Sequence, residues 1–253
     1  MLTAIILTKN EEKNIEKCIE SLRFCDEIVV VDDGSVDNTV KIAKKLGVRV
    51  VGCKMQDFSS QRNWAIEQIK SNWILFVDAD EIVNQELGDS IQEAVKKNDA
   101  NGYLVQRVDH IWNHKFKYGD VGNVWLLRLA RRGAGQWLGE VHERWEVDGR
   151  IEKLVGELSH YPHQTVVEFL KHINNYSTLK ANEFYKNGRK TNILEIVFGS
   201  IYRFVYLYIC RFGFLDGTAG FVHAMLMSFY MFLVAGKLYL LYKGIPHGQT
   251  PAN

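Results

Sequence analysis

The sequence predicts an α/β protein: a mostly parallel sheet with flanking helices, followed by an apolar helical tail. Three observations carry that expectation. Short apolar runs alternate with amphipathic stretches four times in the first hundred residues. The run Ile74, Leu75, Phe76, Val77 is continuously apolar, as in a strand buried on both faces, and it ends in Asp78, Ala79, Asp80 and Glu81. From about residue 193 the composition shifts to long apolar and aromatic runs.

Taken in order, residues 2–7 form the first apolar run and end in Thr8, Lys9, Asn10, Glu11 and Glu12. Within residues 14–22, Ile15, Cys18, Ile19 and Leu22 recur at helical spacing. Residues 27–31 give a second strand, closed by Asp32, Asp33, Gly34 and Ser35, and residues 38–46 a helix that Gly47 stops. Residues 48–51 read as a third strand. Ser59 or Ser60 can cap a helix running to about Ile69. Residues 73–77 are the fourth strand, and residues 85–97 a helix with Leu87, Ile91 and Val95 on one face. Such alternation implies right-handed crossovers and parallel pairing. Beyond it come strands at 102–108 and 123–130, a long helix at 165–186, and apolar segments at 193–210 and 221–241 with a turn between them. The expected division is an α/β domain over residues 1–164 and a helical region over residues 165–253.

The 253 residues are 47% hydrophobic and 24% charged, ordinary for a globular chain. A net charge of +1 argues against a broad nucleic-acid surface. Cys18, Cys25, Cys53 and Cys210 form no C-x-x-C pair, which suits a reducing cytoplasm better than a disulfide framework or a zinc site. The polar start of the chain at Thr8 to Glu12 does not read as a signal peptide.

In open α/β sheets, ligands bind outside the carboxyl ends of the strands. Three such ends carry polar groups here: Thr8 with Asn10 and Glu11, Asp32 with Asp33, and Asp78 with Asp80. The first strand-to-helix turn lacks glycine, so neither a dinucleotide fingerprint nor a P-loop is present. In extended chain Asp78 and Asp80 point to one side, and two carboxylates held together repel unless a cation sits with them. A hard ion, Mg²⁺ or Mn²⁺, bridging to phosphate oxygens would satisfy them. The plain alternatives are an acidic surface turn at 78–80 and an ordinary Asp-Gly-Ser turn at 32–35.

The segments Thr8-Lys9-Asn10-Glu11, Asp32-Asp33-Gly34-Ser35, Gln61-Arg62-Asn63 and Asp78-Ala79-Asp80 resemble, in order and spacing, the family 2 glycosyltransferases with the GT-A fold. The resemblance implies an enzyme that binds a nucleotide-diphospho-sugar and inverts the anomeric centre. It assigns Thr8, Glu11 and one of Asp32 and Asp33 to the base and ribose, Arg62 to the base or diphosphate, Asp78 to ribose or metal, and Asp80 to the metal. For Arg62 the alternative is a charge on a helix surface.

The middle of the chain is similar to the bacterial lipopolysaccharide-core β-glucosyltransferase group within that family, through residues 128–133, Gly139, His142-Glu143, Asp148-Gly149 and His160-Tyr161. Ala130 stands where that group has an aromatic residue. Direct displacement needs one base to take the proton from the acceptor hydroxyl. Glu143, Glu140 and Asp120 are the candidates, with Glu143 preferred on the resemblance and His142 beside it to orient the base. Arg128, set in an apolar stretch, is expected near the leaving diphosphate. His160 is expected to approach the metal or diphosphate.

In the tail, Arg203, Arg211, Lys237 and Lys243 interrupt or flank the apolar runs, and Tyr202, Tyr206, Tyr208, Tyr230 and Tyr239 favour an interface. These features suit helices lying in the bilayer surface. The alternatives are a packed helical subdomain or a contact between copies of the chain. The expected activity is transfer of a hexose, with glucose from UDP-glucose as the example, to a lipid-linked glycan such as lipopolysaccharide core. The site would lie on the inner face of the cytoplasmic membrane. Transfer to polyprenyl phosphate, a sugar nucleotidyltransferase and a non-catalytic glycan-binding module are the competing readings.

Overall fold

The computed structural model describes residues 1–54, 57–122, 124–139, 143–162 and 164–245. It divides into two compact units, Met1–Val108 with Asn123–Tyr161, and Asp109–Gly122 with Pro162–Asn253.

In the first unit, β1 (Leu2–Thr8) leads to α1 (Ile15–Ser21), β2 (Glu27–Asp32) to α2 (Thr39–Lys45), and β3 (Arg49–Gly52) to α3 (Phe58–Glu67). Then β4 (Trp73–Asp78) leads through the short β5 (Glu81–Val83) to α4 (Gln85–Lys97). The remaining strands are β6 (Gly102–Ile111), whose last three residues fall in the second unit, β7 (His114–Lys115), which belongs to the second unit, and β8 (Val124–Arg131), β9 (Gly135–Leu138), β10 (Arg144–Val147) and β11 (Ile151–His160) in the first. The main sheet has the order β3-β2-β1-β4-β8-β6-β11-β5, and β9 and β10 form a separate hairpin. β1, β2, β3 and β4 pair in parallel, as the alternation of strand and helix predicts. The pairs β4–β8, β6–β8 and β11–β5 are antiparallel.

Register explains why the strand tips gather. β1 pairs with β2 and β4 so that Thr8 lies opposite Asp32 and Leu7 opposite Asp78. The continuous apolar run of β4 is needed because both of its faces are covered. Trp73, Leu75 and Val77 pack with Ile15, Ile19, Leu87 and Ile91. Ile74 and Phe76 pack with Ile5, Trp137 and Trp145. Phe76 meets Trp137 and Trp145 edge-on at 5.2 and 5.1 Å, and the two indoles stack at 5.4 Å. Such ring pairs add about 0.5–1.5 kcal/mol each beyond area burial.

The start of α3 differs from expectation. Its cap is Asp57, whose Oδ1 accepts from Ser60 N at 2.8 Å, and neither Ser59 nor Ser60 serves. Their hydroxyls are used elsewhere: Ser59 donates to the Gly139 carbonyl and Ser60 to Asp57.

In the second unit, α5 (Val166–Lys186) opens on a capping box between Thr165 and Glu168. α6 (Ile193–Val205) runs into a π-helical turn at Tyr206–Cys210, then a 3₁₀ turn at Gly213–Asp216, then α7 (Gly217–Tyr242). α7 packs on both α5 and α6. The loop after β6 belongs to this unit. The buried Asp216 carboxylate accepts from Lys117 N at 3.2 Å and Tyr118 N at 2.9 Å. Arg211 Nε donates to the Gly119 carbonyl at 3.0 Å. Where the sequence suggested a single boundary at residue 164, residues 109–122 group with the helices, through bonds to residues almost a hundred positions away.

β11 passes close over the start of α4. Gly156 there has φ +97°, and a Cβ at this position would lie 2.3 Å from Leu87 N. We expect Gly156→Ala to cost about 2 kcal/mol or more of stability, through both strain and overlap. A urea unfolding midpoint equal to wild type would show that the backbone relaxes freely here.

Candidate active site

The first two strand-to-helix loops are tied to each other. Asn10 adopts φ 58°, the left-handed conformation that a glycine would otherwise supply. Its backbone N–H donates to Ser35 Oγ at 2.8 Å, and its Oδ1 accepts from Val36 N at 2.8 Å. Glu11 N donates to Thr39 Oγ1 at 2.8 Å. Lys9 Nζ pairs with Asp33 Oδ2 at 2.7 Å. Asp32 is absorbed by its own turn: Oδ2 accepts from Gly34 N and Ser35 N, both at 3.0 Å, and Oδ1 from Ser35 Oγ at 2.5 Å. The Asp33 carboxylate instead faces the neighbouring loop, through Lys9. Thr8 is buried, and its Oγ1 has no hydrogen-bond partner among the described residues.

At the tip of β4 the side chains form a chain of alternating charge. Arg62, on α3, is buried, with Nη2 3.0 Å from Asp78 Oδ1 and Nη1 2.5 Å from Glu143 Oε1. Its guanidinium carbon lies 4.5 Å from the Trp137 ring centroid. Arg128, on β8, is also buried, and its Nη2 reaches Asp78 Oδ2 at 2.7 Å and Glu81 Oε1 at 2.9 Å. The other Glu81 oxygen accepts from Asp78 N at 2.9 Å. The order is Glu81, Arg128, Asp78, Arg62, Glu143. Arg62 is therefore no surface charge. Its neighbour Asn63 clamps the β9 backbone, donating to the Trp137 carbonyl and accepting from Trp137 N, both at 2.9 Å.

Burial pulls against pairing along this chain. Burial alone would raise the Asp78 carboxyl, but Arg128 and then Arg62 overcome it and hold Asp78 far below the usual carboxylate range. For Glu81, wholly enclosed, burial dominates, Arg128 offsets only part of it, and the carboxyl is raised. Burial would lower Arg128, yet Asp78 and Glu81 raise it, so it stays charged.

Asp80 lies one turn away, with Oδ2 3.3 Å from His160 Nε2. The Asp80 carbonyl accepts from Tyr161 N at 2.9 Å, which fixes the end of β11 against this turn. Glu11 joins the neighbourhood. Burial raises its carboxyl, Asn14 lowers it through a hydrogen bond at 2.8 Å, and Asp80 raises it further. Cys18 is buried behind the site, and its thiol is pushed well up by burial and by Glu81, Asp80 and Asp78.

Asp78 and Asp80, expected from the sequence to share a cation, are held by different partners. Asp78 ends the strand and Asp80 follows in a turn. Both Asp78 oxygens are engaged by guanidiniums, which leaves Asp80 and His160 as the cation-binding candidates. Among the described residues no cluster of three His, Cys, Asp or Glu can hold a metal ion by itself. Asp120 lies in the second unit, paired with Arg203. His142 and Glu140 lie outside the described residues. Sequence reading gave Glu81 and Trp137 no role. A glutamate directly after a buried strand, beside an arginine inside another apolar stretch, was the available signal for the first.

Removing Arg128 would leave Asp78 and Glu81 facing each other without a shared counter-ion. We expect Arg128→Met to cost about 3–5 kcal/mol, and to cost much less in the Glu81→Gln background, measured as a double-mutant cycle in urea. Additive costs would mean the pair is not coupled. Because the folded Asp78 carboxyl is depressed, its stabilisation is complete above about pH 4, the ordinary aspartate value, and is lost as pH falls below it. The gap in stability between wild type and Asp78→Asn should therefore close on acidification, and a pH-independent gap would show that charge is not its source.

Comparison with known proteins fits this architecture. The model of the family "Glycosyl transferase family 2" matches residues 3–147. The lipopolysaccharide core biosynthesis glycosyltransferase LpsC of Rhizobium meliloti is 31% identical over 247 residues, covering 94% of this chain and 92% of that one. Among solved structures, Staphylococcus aureus TarS (residues 1–349) aligns with 96% of this chain and 91% of its own, at 14% identity and a TM-score of 0.48. Glucosyl-3-phosphoglycerate synthase from Mycobacterium tuberculosis, in complex with Mn²⁺, UDP and phosphoglyceric acid, aligns with 43% of each chain, at 21% identity and a TM-score of 0.38. With a family match across more than half its length and a relative similar over nearly all of it, the chain belongs to glycosyl transferase family 2, and it is a glycosyltransferase of the GT-A fold.

Proposed function

We propose that the enzyme transfers a hexose, with inversion, from a nucleotide-diphospho-sugar to a lipid-linked glycan of the lipopolysaccharide-core kind, at the inner face of the cytoplasmic membrane. UDP-glucose is the donor to test first. The observation that carries this reading is the juxtaposition at the β4 tip: buried Arg62 and Arg128 on one carboxylate, with Asp80 and His160 paired beside them. The relative named for lipopolysaccharide core biosynthesis supports the acceptor class. The apolar helices α6 and α7 support a membrane location.

Each residue has a role in this reading. Thr8 Oγ1, buried without a partner, suits the base or ribose of the donor, together with Asp33 and Glu11. Arg62 and Arg128 each keep a buried Nε–H without a partner among the described residues. Those donors suit the oxygens of a leaving diphosphate, where they would stabilise charge as the glycosidic bond breaks. Glu143 accepts the proton of the acceptor hydroxyl as that oxygen attacks the anomeric carbon from the opposite face. Its bond to Arg62 would keep it aimed until the acceptor arrives. A carboxylate and an imidazole fit a Mg²⁺ or Mn²⁺ whose other ligands are phosphate oxygens and water, so Asp80 and His160 would hold the cation. When bound, it would neutralise diphosphate charge.

One observation favours a second reading. Glu143 is already ion-paired with Arg62, and an acceptor that is itself a phosphate, such as polyprenyl phosphate, needs no base. Glu143→Gln separates the two. With a hydroxyl acceptor, kcat should fall about 10²–10⁴-fold, whereas unchanged turnover would favour the phosphate acceptor. Hydrolysis of a panel of UDP-, GDP- and dTDP-sugars tests the donor. Asp80→Ala should abolish it, and EDTA should abolish it reversibly, with Mg²⁺ or Mn²⁺ restoring it. Full activity in EDTA would remove the cation from the reading. Arg62→Ala should weaken donor binding roughly tenfold to a hundredfold, read as donor Kd by calorimetry.

A further inference from the structure

Two helical segments of the second unit, Ile193–Cys210 and Gly213–Tyr242, are long and apolar enough to cross a bilayer by length and composition. We infer that neither crosses: the α6–α7 hairpin lies in the plane of an anionic lipid surface, with the outer face of α6 and one stripe of α7 in the lipid. The inference rests on the membrane-bound glycosyltransferase reading above and adds to it the depth, the orientation and the lipid charge.

The first argument is that α7 cannot enter a bilayer without α5. Lys237 sits in the middle of the last half of α7, buried, and its Nζ donates to α5. Its acceptors are the Asn174 carbonyl at 2.6 Å, Asn174 Oδ1 at 2.9 Å, Ser177 Oγ at 2.7 Å and Thr178 Oγ1 at 2.8 Å. α5 in turn carries Glu168, Lys171, Lys180, Glu183 and Lys186, and it is joined to α6 by only residues 187–192. If α6 and α7 crossed, α5 would have to cross beside them with these charges at bilayer depth, where each is costly.

The second argument is the other end of the hairpin. There Asp216 and Arg211 are bonded to the polar loop at residues 114–120, and Arg203, within α6, pairs with Asp120. α6 and α7 are also joined directly, Ser228 Oγ donating to the Ser200 carbonyl at 2.7 Å. With α5 on one side and this loop on another, what stays uncovered is apolar. On α6 and the π-helical turn that follows it, this is a stripe through Ile193, Val197, Ile201, Val205 and Ile209, with Ile201 52% exposed. On α7 it is Phe221, Met225, Phe229 and Phe232, each 44–48% exposed. A face of this kind on a helix lying flat sinks about 5–10 Å into the headgroup boundary.

The third argument commits the face to lipid. The second unit holds eleven Lys and Arg against six Asp and Glu, a net charge of +5, while the first unit, with twenty against twenty-four, is at −4. Positive charge is thus concentrated on the unit that bears the apolar face, as attraction to anionic headgroups requires.

The test uses the full chain and preformed sealed vesicles of phosphatidylcholine alone or mixed equally with phosphatidylglycerol. In a background with Cys25, Cys53 and Cys210 changed to Ser, single cysteines are placed at the two ends of the hairpin, Lys190→Cys and Lys115→Cys. Bound protein is collected by flotation and treated with a membrane-impermeant maleimide. We expect flotation only with the anionic mixture, reduced by salt, and labelling of both cysteines from outside to the same extent as without vesicles. Protection of either cysteine until the vesicles are lysed would overturn the in-plane arrangement. Equal binding to both compositions would overturn the anionic surface. Phe198→Glu with Ile201→Glu, on the exposed face, should lower the bound fraction tenfold or more while leaving the helical circular dichroism unchanged. A lipid-free dimer, seen by sedimentation and broken by the same pair, would assign the face to a second copy instead. Donor hydrolysis by the same preparation reports separately on the glycosyltransferase reading, which can hold whichever way the vesicle result falls.

Discussion

The structure of the catalytic unit depends on how three carboxylates and two guanidiniums coexist at the end of β4. A charge taken out of water is stabilised only by partners of opposite sign in good geometry. Asp78 is placed between Arg62 and Arg128, and Arg128 between Asp78 and Glu81. Each link comes from a different element: Arg62 from α3, Asp78 from β4, Glu81 from β5 and Arg128 from β8. The charges therefore hold four elements in one arrangement, and they do so at the point where the sheet must present its ligand groups.

The same constraint divides labour between the two aspartates of the Asp-x-Asp motif. Asp78 closes the strand and serves as counter-ion to both arginines. Asp80, released into a turn and held by its carbonyl to Tyr161, faces His160. In the proposed reading Asp80, beside an imidazole, would be the cation ligand and Asp78 would not. The aromatic layer of Phe76, Trp137 and Trp145 supports this from beneath, since Trp137 packs on the Arg62 guanidinium and its backbone is fixed by Asn63.

The second unit shows the opposite economy of charge. Among the described residues Lys237 is buried with neutral hydrogen-bond acceptors, and Asp216 is buried and holds backbone amides of the loop after β6. These polar groups lock the helices to α5 and to that loop. The face they leave over is apolar, and so the surface that could meet lipid is defined by what the polar contacts have already used.

The sequence by itself determined a good deal. The alternation of apolar runs and amphipathic stretches in the first hundred residues specified the parallel half of the sheet, because strand and helix periods differ and each run was long enough to show its own. Thr8, Asp32, Asp33, Arg62, Asp78, Asp80 and Arg128 stood out in the sequence as candidates, because polar groups at strand tips, an arginine inside an apolar stretch and the family resemblance drew attention to them. Helix α4 was legible to the residue, bounded by Asn84 and Asn98. What only the tertiary structure decided was which of those groups meet. That Asp78 would be claimed by two arginines, that Asp32 would be spent on its own turn, that Glu81 would be the buried counter-ion, and that residues 109–122 would join the helical unit all follow from contacts between positions far apart in the chain. Hydrophobic periodicity is a local property and is written along the sequence. The pairing of buried charges is settled by desolvation, which acts only after the chain has folded and has removed water from both partners at once.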